Sequence, residues 1–308
     1  MGTLDPGEPA ALRFGNEVGD RLFPKMSGST VAIVGIDPSA FHEHGNIVSV
    51  TGERIAIQTG TGTLFRIGSK VFIITAAHVL EAIESRGHTP GTWSDDPPSF
   101  QPLTGKLQRT NEVLDVAVFS ITKDVERNLN HKQFLSLADV DFSADLGDGW
   151  YFLHGLPYHR SHPSRDLITT FQSDFTYRTS CYRGPTTGFL NYDPEFHLVL
   201  EMSNESQFAD DQSSAGARPE LGGISGCSIW LGFSESHLMD EWSPALAKVA
   251  AVQTKIYTEK HVVQGTRWAA VAMVIWKHYP GLRNAMRKFL PPHLVTDFES
   301  VVKQMRRK

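Results

Sequence analysis

From Ser29 onward the chain is a succession of short β-branched apolar runs separated by turn residues, and no other feature constrains its fold as tightly. Thr30–Val34, Ile47–Val50, Arg54–Ile57, Gly62–Ile67 and Lys70–Thr75 are each four to six residues long. Such lengths and residue types suit strands and are too short for stable helices. Gly68-Ser69 between the last two predicts a tight hairpin, which would carry His78 to the far end of the second strand. Asp115–Ile121, Gly149–Gly155 and His197–Met202 alternate in the same manner, and Cys227–Leu231 and Ala247–Gln253 continue the series. The expectation is an all-β protein.

Its 308 residues, 40% of them hydrophobic, suffice for one large β domain or two small ones. Residues 1–28 are rich in glycine, proline and charge and are expected to form an irregular N-terminal arm. At the other end, Leu294, Phe298, Val301, Val302 and Met305 recur on one helical face, so residues 281–308 are expected to be helical. The apolar run Trp268–Trp276 is too short for a bilayer, which needs about 20 residues, and reads as buried structure. A net charge of -5 gives no reason to expect nucleic acid, and the basic Met305–Lys308 ending reads as a solvated cluster. Cys181 and Cys227 are the only cysteines, too few for a disulfide framework, and are expected as free thiols. Met1–Gly7 lacks a basic and apolar leader, and Pro6 stands where a myristoylation signal has Ser or Thr. The expected setting is cytoplasmic, with no membrane partner.

Three motifs carry chemistry. Leu221-Gly222-Gly223-Ile224-Ser225-Gly226-Cys227-Ser228 offers a serine in a glycine-rich turn, Thr75-Ala76-Ala77-His78 an imidazole, and Leu114-Asp115-Val116-Ala117-Val118 a carboxylate. A serine hydroxyl is a weak nucleophile until an imidazole takes its proton, and that imidazole needs a carboxylate to fix its tautomer. Taken singly, each has a plainer role: a histidine after a strand, an aspartate ending one, a serine in a turn. Together they form a complete set. His154, His159 and His162 also cluster, but no cysteine or carboxylate completes a tetrahedral set, and Gly155-Leu156-Pro157 reads as a turn. No metal and no cofactor is expected. Residues 203–220, polar and small, read as a mobile loop directly before the serine.

Taken in the order His, Asp, Ser, these motifs make the chain resemble the bacterial-type trypsin-like serine peptidases of the chymotrypsin (PA clan) fold, over roughly residues 30–280. The resemblance implies two six-stranded antiparallel β-barrels, residues 29–140 with His78 and Asp115 and residues 141–280 with Ser225, followed by the helical end. It implies a serine endopeptidase in which Ser225 attacks the peptide carbonyl, His78 acts as base and then acid, and Asp115 orients it. The N–H groups of Gly223 and Ser225 would form the oxyanion hole. Its partners would be a protein or peptide substrate and a regulatory protein. Two alternatives stay open: a catalytically silent barrel that binds peptide or protein, and an esterase-type serine hydrolase. Cys227 is out of register as a nucleophile, since Ser225 rather than glycine stands two residues before it. Ile224 stands where secreted relatives carry the aspartate that captures a new N-terminus, so that activation route is not expected. Pro219, with Glu220 beside it, stands where a preference for basic residues would place an aspartate; Glu220, Asp210 and Asp211 remain alternatives for that position.

Overall fold

The computed structural model describes residues 10–38, 56–95, 98–143, 149–157, 161–163, 170–172, 174–202, 207–208, 221–234 and 241–305. The first half holds β1 (Thr30–Ile36), β2 (Ala56–Ile67), β3 (Lys70–Ala76), β4 (Thr89–Asp95), β5 (Pro98–Pro102), β6 (Gly105–Arg109) and β7 (Val116–Ile121). The second holds β8 (Gly149–Gly155), a small hairpin of β9 (Ser161–Pro163) and β10 (Thr170–Gln172), β11 (Phe175–Thr179), β12 (His197–Glu201), β13 (Gln207–Phe208), β14 (Ser228–Ser234), β15 (Lys248–Tyr257) and β16 (Val262–Arg267). The Gly68-Ser69 hairpin forms as expected, joining β2 to β3.

Each half is an antiparallel sheet that closes on itself. In the first, the order is β5-β4-β1-β2-β3-β7-β6. The two ends are nearly one strand: Leu103 N–H reaches Pro90 O on the β4 side, and Thr104 O accepts from Thr122 N–H on the β7 side. Residues 98–109 therefore act as a single bent strand at both edges, which makes a six-stranded barrel. In the second, the order is β12-β16-β15-β14-β8-β11-β13. Here the chain beyond β11 returns to β12, with Tyr182 N–H on Val199 O and Glu201 N–H on Ser180 O, each at 3.0 Å. That closes six strands and leaves β13 as an appended edge. Closure removes the open edges that would otherwise recruit other chains. The two-barrel, chymotrypsin-like architecture implied by the resemblance is the one observed.

Val31, Ile33, Leu64 and Ile73 fill the first barrel, and Tyr151, Leu153, Leu200 and Ile229 the second. A third cluster joins the barrels: Phe65, Phe72, Val116 and Val118 from one meet Phe152, Trp230, Val249 and Val252 from the other. Trp268, Val271 and Ile275 of α4 (Trp268–His278) complete it, so the apolar run seen in the sequence is buried as expected. After α5 (Arg283–Met286), α6 (Pro292–Met305) sets Phe298 against Trp276 at 6.0 Å between rings. Among the described residues no helix is long and apolar enough to cross a membrane.

The expected irregular arm over residues 1–28 is corrected from residue 10 onward; residues 1–9 lie outside the described part. Ala10–Ser29 form helix α1, with Pro24 inside it. Glycine and proline argue against a helix locally, but Val18, Leu22 and Met26 recur every four residues and are fully buried against the second barrel. Burial of one such side chain stabilises by about 1.5–3 kcal/mol, more than a single internal glycine costs. Lys25 fixes the register, 2.8 Å from Asp139. Two shorter α-helices lie between α1 and α4 in the chain, α2 (Ala77–Glu84) and α3 (Lys123–Asn128).

Candidate active site

β3 ends at Ala76 and the chain passes directly into α2, which places His78 in that helix's first turn. The first N–H groups of a helix have no partner within it, and Ala76 offers no side-chain cap. Asp115 supplies acceptors for the first two from across the barrel. Its carbonyl takes the Ala77 N–H at 3.1 Å, and its Oδ1 takes the His78 N–H at 2.9 Å. The second carboxylate oxygen, Oδ2, lies 2.7 Å from Nδ1 of the His78 ring. An ionised carboxylate only accepts, so Nδ1 carries a proton, and in the neutral ring the lone pair is on Nε2. That is the tautomer a general base needs. Asp115 is 6% exposed while the His78 side chain is 44% exposed, so the ring is open to a reactant and its carboxylate is not.

Asp115 has φ of +48°, in the left-handed region that aspartate tolerates better than most residues. Such a conformation costs about 1–3 kcal/mol and persists where its surroundings over-determine it. They do so here. Asp115 N–H bonds Asn111 O at 2.9 Å, Val116 N–H bonds Thr110 Oγ1 at 2.8 Å, and Thr110 N–H bonds Val116 O at 2.9 Å. Two further contacts come from the second barrel: His197 Nε2 lies 2.9 Å from Val113 O, and Thr266 Oγ1 donates to Leu114 O at 2.5 Å.

Ser225, half-buried, lies in the turn that leads into β14 of the second barrel, and the first barrel holds that turn in return. Thr61 is the link: its N–H bonds Ser225 O at 2.8 Å, and its Oγ1 donates to Gly223 O at 3.0 Å while accepting the Leu156 N–H at 3.1 Å. The turn needs its glycines. Gly226 has φ of +89°, and a Cβ there would stand 2.1 Å from Thr75 Oγ1 and 2.3 Å from Thr61 O. A Cβ on Gly60 would stand 2.6 Å from Val79 and 2.8 Å from Ser225 O. The serine's turn is thus seated on the end of β3 and the start of α2, the segment that carries His78. Gly223 also has a positive φ, +93°.

The remaining residues singled out in the sequence fall as follows. Ile224 is fully buried in the second barrel's interior. Cys227 is buried too, and burial pushes its thiol up to about 12, which leaves almost no thiolate at neutral pH. Cys181 and Cys227 are both free thiols. His154 is fully buried, with Nδ1 2.8 Å from Thr176 Oγ1 and the edge of Phe23 packed on its ring at 5.4 Å. His159 and the side chain of His162 lie outside the described residues, as do Asp210, Asp211, Pro219, Glu220 and all of the expected loop 203–220 except the backbone of Gln207–Phe208. A cavity of about 400 Å³ opens beside His78 and Asp115, walled by Leu190, Asn191, Thr254 and Lys255. Leu190 is 70% exposed at its rim.

Sequence reasoning missed Thr61, His197 and Thr266. Thr59-Gly60-Thr61-Gly62-Thr63 carried a usable signal, since glycines inside a strand mark close approach of another backbone. His197 and Thr266 carried none.

No family model and no curated protein matches this chain. Solved structures do resemble it, at low identity. The HtrA-type protease AlgW, solved with a decapeptide, is 10% identical, with 90% of this chain and 74% of that one covered and a TM-score of 0.46. Deg5 is 15% identical over 83% of this chain and 91% of its own, TM-score 0.45. The Rv3671c protease of M. tuberculosis in its active form is 14% identical over 90% and 94%, TM-score 0.41.

Proposed function

We propose that this protein is a serine endopeptidase that cleaves peptide bonds through an acyl-enzyme. The observation that carries the reading is the Asp115–His78 pair, a buried carboxylate holding a half-exposed imidazole by Nδ1, with the turn of Ser225 packed against Thr61 and the end of β3 that leads to His78. In the proposed cycle His78 Nε2 takes the Ser225 hydroxyl proton as Oγ attacks the substrate carbonyl. Asp115 stabilises the imidazolium that forms, and the N–H groups of Gly223 and Ser225 receive the oxyanion. The imidazolium then gives its proton to the leaving amine, and water repeats the sequence on the ester. No step calls for a metal or an organic cofactor.

Ile224 shapes how such an enzyme is switched on. A buried apolar residue at this place cannot pair with an N-terminal ammonium, so cleavage to create a new N-terminus is not part of the scheme. Restraint would fall to a regulatory protein partner, to the loop before Ser225 or to narrow specificity.

Digestion of a peptide library, run beside simple ester substrates and with Ser225→Ala as the control, tests the proposal. Cleavage of internal peptide bonds by the native protein alone is the expected result. Turnover of esters without peptides would make it an esterase, and turnover of neither would favour a silent binding barrel.

A further inference from the structure

His197 is buried to 1% exposure, at the start of β12 in the second barrel, yet its ring reaches the turn of the first barrel that carries Asp115. Its protonation pattern follows from its neighbours. Val113 O, 2.9 Å from Nε2, can only accept, so Nε2 carries a proton; in the neutral ring Nδ1 is then the acceptor, taking the Asp193 N–H at 2.9 Å with Asp193 O also 3.0 Å away. Burial holds the imidazole below its usual range, against the opposing pull of the Val113 and Asp193 carbonyls, which keeps the ring neutral at neutral pH.

Thr266 stands directly opposite His197 in the β12–β16 pairing, and its hydroxyl takes the next carbonyl, Leu114 O. One cross-strand pair of the second barrel therefore grips two consecutive carbonyls immediately before Asp115. The grip matters because Asp115 adopts a left-handed backbone and makes three separate contacts to Ala77 and His78. Rotation of the 113–115 peptides would break all three together.

We infer that His197 and Thr266 are positioning residues for the catalytic carboxylate: the second barrel sets the orientation of Asp115, and through it the tautomer and direction of His78. The catalytic part of this inference rests on the proposed role of Asp115; the structural part does not. The bracing is reciprocal, since Thr61 of the first barrel holds the turn of Ser225.

The test compares variants of the full chain at position 197. Gln places an amide N–H near the position of Nε2 and keeps the donor to Val113. Asn offers Asp193 an acceptor near the position of Nδ1 but falls short of Val113. The first readout is the downfield proton resonance of His78 Nδ1–H and its exchange with solvent, which needs no catalysis. The second is the rate of fluorophosphonate labelling of folded protein. His197→Gln is expected to resemble the native protein in both. His197→Asn should lose or broaden the His78 resonance and label about 10–100-fold more slowly, the scale on which small misplacements of catalytic groups act. Thr266→Val, which removes only the hydroxyl donor, should change both readouts in the same direction, and it carries the test if His197→Asn does not fold. An unchanged resonance and labelling rate in folded His197→Asn and Thr266→Val would overturn the inference. A native protein that is never labelled would instead count against the proposed function, and the resonance alone would then decide whether the grip exists.

Discussion

At the scale of single residues, the site depends on Asp115 more heavily than its place in the sequence suggested. It is legible there only as an acid ahead of an apolar strand; its service as the remote cap of α2 depends on a backbone turn that no local pattern announces. Ser225→Ala, His78→Ala and Asp115→Asn should each lower turnover by about four orders of magnitude while far-ultraviolet circular dichroism stays native, because residues that act as one unit fail together. Full activity in any folded member of the three would remove it from the mechanism. Cys227 should behave in the opposite way. Its buried, protonated thiol packs as a small apolar group, so Cys227→Ala is expected to cost about 1 kcal/mol of stability in denaturant titration and to leave turnover per folded molecule unchanged.

Among the elements, strands with continuous apolar runs, β-branched or aromatic, were readable and those at barrel edges were not. β1, β3 and β8 stand almost where their apolar runs predicted. β4, β5 and β6 were not among the expected strands: they carry Pro90, Pro98, Pro102 and Gly105, residue types that interrupt an apolar run, although proline is at home on an edge or at a bend. α1 was missed because its glycines and Pro24 outweighed a buried stripe that only the second barrel makes meaningful. The ion pair that ties α1 down has a pH signature. Burial opposes the charge on Asp139, but hydrogen bonds from Lys25 and Ser136 outweigh it, and its carboxyl is held below the usual range. A depressed folded-state value contributes stability above the unfolded pKa of about 3.9 and loses it as pH falls through the folded value. Asp139→Asn should therefore be less stable than the native protein at neutral pH, with the gap closing in acid; a gap constant from neutral pH to below pH 3 would contradict this. The turn of Ser225 is the more brittle element. Gly226→Ala places a methyl against Thr75 and Thr61 at a positive φ, and should destabilise by about 1–3 kcal/mol and abolish labelling of Ser225 in whatever protein remains folded.

For the whole molecule, the two barrels operate as one device because each supports a loop belonging to the other. Thr61 of the first holds the turn of Ser225, and His197 and Thr266 of the second hold the turn of Asp115, while the shared apolar cluster of Phe65, Trp230, Val252 and Trp268 fixes the barrels together. The His, Asp, Ser order made the two-barrel plan visible in the sequence, and the proposed chemistry rests on the same short, local motifs. The bracing was invisible because its partners are far apart in the chain, 84 positions between Val113 and His197 and 152 between Leu114 and Thr266. The central claim is that this assembly activates one serine. Reaction with a fluorophosphonate, followed by digestion and mass spectrometry of the adduct, addresses it directly: the account expects one equivalent of label on Ser225, lost in His78→Ala, and an adduct on any other residue, or a native protein that takes no label, would contradict it.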